Sequence, residues 1–597
     1  MKGLRDWRSH TARFAATLAL LAGAALVPTV ALALDQVPRE DTLVSESWPT
    51  GPAYKNYENM NPFSAGNDLR NHVVFTSEPL FYWNQLNNDV IPFLATGYTF
   101  NDDYTQVTVS LRDGVTWSDG QPFTADDVAF TFELLRSNGE GKKDLLDSTL
   151  VATAVQSVNV VDPHTVRFDL KQPDPRFVLR ILTVSFTTGF FPVPKHIWEK
   201  VEDPANFNNF DLAKGWPVVT GPYKVVDAKP ERIIMDRRDD WWGTKDGVWG
   251  DQAGAYYSSL PVPKRIITVP GMDIQQRAQA LMAGDIDWGG GESIPVIKSM
   301  LAQRPDIITT FTGDKPPYGY TDWWPTALWF NLGLEKFQDK NVRLAMRYAL
   351  NPQQVIDIVH EGASKLLVSP FPDFKAFQPY IEDATVMAKE HELNVQDVDK
   401  SAALMEKAGY AKDADGFWAK DGVRLSANII GAKALDPMGP IIAEQFRRAG
   451  FDITFANRPD YRAVMTAGKA ELMLWGFNGG TYDPYDTLEL FDSRYAAPIG
   501  ESSSRYARYK NPEVDQLAEE IKKLPINDER IRPLVKRFVE IWMDDVINIP
   551  IAQWYNQVAF STQRWTNWPN EDNPYAPPIN GHWTVGLVVH GLQKAGN

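Results

Sequence analysis

Twenty tryptophans stand in this chain of 597 residues, and an indole has a defined use on a ligand. A pyranose presents C–H groups on its face and hydroxyls at its rim. A flat indole covers the face, while Asn, Asp and Gln satisfy the rim. Removing about 80 Å² of apolar surface from water at about 25 cal/mol per Å² gives about 2 kcal/mol per stacked ring. Two or three such rings, with hydrogen bonds, reach the ~8 kcal/mol of a micromolar site after ordering costs. The competing use of any one tryptophan is core packing. That use suits Trp117, Trp241, Trp242, Trp288 and Trp418, which lie within expected elements or turns.

Bond-breaking chemistry has much less support. Cysteine is absent, which removes disulfides, thiol catalysis, Cys-ligated zinc and iron–sulfur clusters. No G-x-S-x-G elbow, H-E-x-x-H helix or P-loop occurs. The eight histidines are scattered, and His582 and His590 lie eight apart in an apolar stretch, so neither a metal nor another cofactor is expected. The 76 Asp and Glu guarantee close carboxylate pairs, which makes a secreted glycoside hydrolase the competing class. Product release from labelled oligosaccharides would mark it. We expect no enzyme. Lys and Arg number 60, giving a net charge of −16, and that acidity argues against a nucleic-acid partner.

The first segment reads as an address. Lys2, Arg5, Arg8 and Arg13 precede an apolar run over 14–30, and Ala31-Leu32-Ala33 supplies an A-x-A step. This is the layout of a secretory signal peptide over 1–33, cleaved after Ala33. A membrane anchor is the weaker alternative, because the run is short for a ~30 Å hydrocarbon layer and ends in a peptidase-like site. The remainder is expected to be a soluble periplasmic protein, and without cysteine it carries no lipid anchor of that kind.

Composition is that of an ordinary globular protein, with 44% apolar and 23% charged residues, and the length allows two to four domains. The recurring unit is an amphipathic helix, a glycine stop and a short apolar strand. It occurs at 275–283, Gly284 and 286–288; at 441–449, Gly450 and 451–455; and at 461–467, Gly468 and 472–475. Such units indicate α/β lobes. Strands are expected at 106–111, 157–161 and 165–170, and a hairpin over 417–425 turning at Asp421-Gly422. Thr124 with Asp127 starts a helix as a capping box, and Asn351-Pro352 starts another.

Four stretches carry a resemblance. LRDGVTWSDGQPFTADDVAFTFELL (111–135), TGPYKV (220–225), ALWFNLGLEKFQDKNVRLAMRYAL (327–350, followed by NPQQV) and SAALMEKAG (401–409) stand in this order. They resemble family 5 extracellular solute-binding proteins, the receptors of oligopeptide-type ABC importers. The resemblance implies an α/β, two-lobed Venus-flytrap fold with an extra insert domain. One lobe is discontinuous over 34–78, 214–325 and 550–597, the insert covers 79–213, and the second lobe covers 326–549. It also implies a monomer that binds a small-molecule ligand in the cleft, closes by hinge motion and is recognised by an inner-membrane ABC permease.

The same resemblance points to site residues. In peptide-binding members the second lobe pairs an Asp with the peptide's α-amino group. Here the matching segment is LWGFNGGTYDPYDTL (474–488), and aligning Asp483-Pro484 with the family's acid-Pro step puts Gly480 at the ammonium-binding position. A buried ammonium without a carboxylate costs several kcal/mol, which disfavours peptides, although Asp483 or Asp486 could substitute. Trp323-Trp324 and Trp329 flank the first expected crossing between lobes, Trp475 ends a strand, and Trp554 lies near the second crossing. WTNWPNEDNPYAPP (565–578) resembles the C-terminal segment of sugar-binding members. The ligand-binding candidates are therefore Trp323, Trp475 and Trp554, with Asn61, Asn84, Asn478, Tyr482, Asp483 and Asp486 as polar partners. Asn61-Pro62 and Asp483-Pro484 have plainer readings as a strand-entry kink and a turn. An oligosaccharide is the expected ligand and an oligopeptide the alternative. Trp475→Ala is expected to weaken binding at least tenfold with little loss of stability.

Overall fold

The capping box at Thr124 forms. In the computed structural model, Thr124 Oγ1 accepts the N–H of Asp126 at 3.3 Å and Asp127 Oδ2 accepts that of Thr124 at 3.0 Å. Helix Ala125–Glu140 follows and buries Val128, Phe132 and Leu135 on one face. The structure describes residues 36–47, 51–64, 72–185, 189–477, 479–579 and 581–596. The expected signal peptide and the candidate Asn478 lie outside the described residues.

Local chemistry sets most of the expected elements. Gly284, Gly450 and Gly468 have φ of 77°, 93° and 69°, the left-handed geometry that ends a helix and that glycine adopts without strain. Helices Gly439–Arg448 and Tyr461–Thr466 then lead into strands Asp452–Phe455 and Leu472–Gly476. Asp421 and Gly422, both at positive φ, join Trp418–Lys420 to Val423–Arg424 as a hairpin. The stretch 286–288 differs from expectation: Trp288 makes single bridges to Ser45 and Phe560 instead of a strand. The reason is a side chain in a ladder position. Asp287 Oδ2 accepts the Val44 N–H and an Arg39 Nη1–H, each at 2.8 Å.

Three sheets frame the molecule. Thr42–Glu46 and Arg265–Val269 run parallel, with Arg232–Arg237 and Tyr223–Lys229 added antiparallel. A meander of Ala95–Phe100, Gln106–Leu111, Thr165–Leu170 and Val155–Asp162 forms a second sheet. The third has five strands, ordered Asp452–Phe455, Ser426–Gly431, Leu472–Gly476, Thr326–Phe330 and Asn548–Ala552.

The apolar interior follows this division. One large cluster draws all its fully buried members from 327–552, and another draws its own from 43–320 and 558–592. A third, smaller cluster sits around helices Ile274–Ala283 and Ile294–Gln303. The chain passes between the two large cores at 321–326 and again at 552–555. The two passages lie side by side, because Gly319–Thr321 pairs antiparallel with Tyr555–Gln557, and Thr326–Phe330 pairs with Asn548–Ala552.

Candidate functional site

The paired passages carry an aromatic cluster. Trp324 lies over Gly476, so close that a Cβ there would come within 2.3 Å of the indole; glycine is required at that position. The Trp324 ring meets Trp475 edge-on at 5.1 Å and Trp554 at 5.8 Å, and Trp554 meets His360 at 5.8 Å. Trp323, Trp324 and Trp554 are partly buried against the 327–552 core. Beside them Asp322 is buried, and burial pushes its carboxyl up to about 7, opposed by a hydrogen bond from Asn556 Nδ2. Across the strand pair, Glu292 is pushed up to about 8, mainly by burial, and its Oε2 has no protein partner.

A second group of contacts joins the 79–213 segment to 326–549. Arg176 holds Asp483 through both oxygens, Nε to Oδ1 at 2.8 Å and Nη2 to Oδ2 at 2.9 Å. The side chains are 1% and 0% exposed. Arg176 Nη1 also donates to the carbonyls of Lys522 and Leu524, and the guanidinium lies over the Tyr485 ring. One turn on, Arg180 pairs with Asp174 at 3.2 Å. Asp486 is pushed up to about 6, mainly by burial; Arg180 opposes the rise and Asp483 and Glu489 add to it. Trp83 meets Tyr482 edge-on at 6.0 Å. The Trp83 Nε1–H and both ends of the Gln85 amide are buried without a protein partner, as is the Trp475 Nε1–H. Buried polar atoms are rarely left so, and the Trp83 N–H, beside Tyr482 where the two parts of the chain meet, is one of several such atoms distributed through the described residues.

The candidates separate into two groups. Trp323, Trp554, Tyr482 and Asp486 lie at the passages or along the contact between the two parts. Four others need correction. Asn61 is fully buried, donating to the Pro204 carbonyl at 2.7 Å and accepting from the Phe63 N–H at 2.9 Å, so its amide pins a turn. Asn84 likewise donates to the Pro574 carbonyl and accepts from the Leu86 N–H. Asp483 is occupied by Arg176. Trp475 is only 7% exposed, packed against Trp324, Tyr506 and Tyr461 with Arg462 over its ring, so it supports the fold as well as any site. In the C-terminal stretch, Trp565 is fully buried and Trp568 stacks on Phe560 at 4.8 Å. Trp117, Trp241, Trp242, Trp288 and Trp418 are all buried, as core packing requires.

Arg176, Arg180 and Trp83 were not among the candidates. The signal available was two arginines four residues apart, Arg176 immediately before the apolar run 177–184 and Arg180 inside it. Such charges must find acids or carbonyls when the run is buried.

Comparison with known proteins places this geometry. The family model described as "Bacterial extracellular solute-binding proteins, family 5 Middle" matches residues 89–497, more than half of the chain. The nickel-binding periplasmic protein of Escherichia coli is 24% identical over 85% of this chain and 88% of its own. The periplasmic oligopeptide-binding protein of an oligopeptide ABC transporter from Thermotoga maritima superposes with a TM-score of 0.76 at 24% identity, covering 93% of this chain and 99% of that one. Its mannohexaose-bound form superposes with a TM-score of 0.70 at 24% identity, covering 94% and 100%. What these neighbours share with the chain is the two-lobed α/β architecture of periplasmic binding proteins.

Proposed function

The chain belongs to the bacterial extracellular solute-binding proteins of family 5, and from that premise we propose that it captures a neutral oligosaccharide between two lobes and delivers it to an inner-membrane ABC permease. The lobes are 34–78, 214–325 and 550–597 on one side and 326–549 on the other, with 79–213 as an insert on the first. The passages at 321–326 and 552–555 act as the hinge.

One observation carries the ligand class. The acid of the Asp483-Pro484 step already has a cation, supplied by Arg176 of the insert. A peptide's ammonium would have to displace a buried, bidentate guanidinium. Partly buried indoles stand at the hinge, and the Trp83 N–H, the Gln85 amide and Glu292 Oε2 have no protein partner, suited to a ligand of C–H faces and hydroxyls. Two features agree: Gly480 holds the position of the family's ammonium-binding Asp, and a structural neighbour binds mannohexaose. The peptide reading draws on Asp486, which lies beside Asp483 and Glu489 in the same contact.

Thermal denaturation tests this directly, since a ligand that binds the folded state raises the melting temperature in proportion to RT ln(1 + [L]/Kd). Gluco- and manno-oligosaccharides are expected to raise it in a concentration-dependent way while tri- to pentapeptides leave it unchanged. The reverse pattern would assign the peptide reading.

Closure is also expected to depend on pH. The raised Asp486 favours its protonated form when the lobes meet, so its contribution to the closed state is full below about pH 4 and is lost as pH rises through about 6. We take opening to return the carboxyl to water and to remove the Arg180 cation, whose opposing pull is the smaller of the two. The ratio of closed to open protein is thus expected to rise about tenfold between about pH 7 and about pH 5, read as a falling radius of gyration. A radius that grows on acidification would contradict it.

A further inference from the structure

The C-terminal stretch 565–578 buries its tryptophans, yet its next residues build something else. Asn573 and Tyr575 form one wall of a cavity of about 430 Å³, closed on other sides by the turn after strand Phe81–Asn84 and by Gln252, Tyr256 and Tyr257. Every lining residue lies outside 326–549, so the cavity is separate from the cleft between lobes. The two sites are nonetheless adjacent through one strand. Successive strand residues face opposite ways: Trp83 meets Tyr482 of the second lobe, and Asn84 lines the cavity and donates to the Pro574 carbonyl.

The cavity chemistry is narrow. Tyr256 is 42% exposed and leans on the Tyr575 ring at 4.7 Å with 31° between planes. Its hydroxyl accepts from Asn573 Nδ2 at 2.8 Å, which fixes the ring. Tyr257 is braced by Phe93 and Trp249. Gln252 is held by the Pro92 carbonyl and by Arg112, so that wall is rigid. Asn87 Oδ1 is shielded from solvent, so the acceptor open to the cavity is the exposed Asp89 carboxylate. No lysine or arginine lines the space, so an anion finds no counter-charge. The groups left for a ligand are an aromatic plate, apolar side chains at Val90, Ile91 and Leu587, and the Asp89 carboxylate, which match the C–H face and the hydroxyl donors of a sugar ring. The volume suits a small ligand of one or two rings.

We propose that this cavity is a second carbohydrate site, taking a neutral pyranoside with Tyr256 as its stacking plate and the Asp89 carboxylate as acceptor for its hydroxyls. One plate and one charged acceptor make a millimolar site. The proposal does not rest on the sugar reading of the cleft, since its lining is its own.

Saturation-transfer NMR on the full chain tests it, with methyl β-D-glucopyranoside and methyl α-D-mannopyranoside as probes at millimolar concentration. Signal from at least one probe is expected in the wild type and in Trp554→Ala, a cleft variant. Tyr256→Ala is expected to weaken it at least about tenfold, and Asp89→Ala to weaken it also. The Tyr256 ring is exposed, and an unchanged melting temperature would show that the fold is intact. Absence of signal from both probes in the wild type overturns the proposal. So does a signal lost in Trp554→Ala but kept in Tyr256→Ala, which would place the pyranoside in the cleft and leave that reading standing.

Discussion

Arg176→Met is expected to weaken ligand binding by two orders of magnitude while leaving each lobe folded. The guanidinium and the Asp483 carboxylate are buried together across the contact between the 79–213 segment and 326–549. Removing one partner of such a pair leaves an uncompensated buried charge, a cost of about 3–5 kcal/mol. That cost falls on the closed state alone, because opening exposes Asp483 to water. The closed population drops accordingly, and about 3 kcal/mol corresponds to more than a hundredfold in apparent affinity. Calorimetric titration with the oligosaccharide found by thermal shift would measure the loss, and small-angle scattering would show a larger radius. The double variant Arg176→Met/Asp483→Leu removes both charges and is expected to recover most of the affinity, since an apolar pair can replace a buried ion pair at little cost. Full affinity in Arg176→Met would show that the pair has no part in closure.

The second large effect separates two indoles. Trp554 is partly buried and meets the Trp324 and His360 rings at 81° and 84° between planes, and its remaining surface is proposed to stack on a ligand. Trp554→Ala is expected to lose about 2 kcal/mol of binding, about thirtyfold, with a small change in melting temperature. Trp475 is packed on several sides. Trp475→Ala leaves a cavity beneath Trp324 and is expected to cost about 3–5 kcal/mol of stability, seen as a melting point lower by several degrees. A Trp475→Ala protein as stable as the wild type would overturn this packing role. Unchanged affinity in Trp554→Ala would remove that ring from the site.

The elements that local chemistry dictates were legible in the sequence. Thr124 with Asp127, the Asp421-Gly422 turn and the glycines at 284, 450 and 468 each act through neighbours a few residues away. The core tryptophans were legible from their place within expected elements and turns, although the N–H partners of Trp117, Trp418 and Trp288 lie 10, 31 and 290 positions away. What stayed hidden depends on distant partners. Arg176 and Asp483 are 307 positions apart, and nothing near Asp483 signals that its partner is internal. Asn61 and Asn84 read as ligand groups because their acceptors, Pro204 and Pro574, come from remote segments. The expected strand at 286–288 failed because Asp287 offers its carboxylate to Val44, a tertiary substitution no periodicity reports.

The most direct test of a clamp that holds a neutral glycan is mass spectrometry of the small molecules released when protein purified from its native host is denatured. Neutral species spaced by whole anhydro-sugar units are expected, present in wild type and depleted in Arg176→Met. Released species that fragment into amino-acid residues would contradict it.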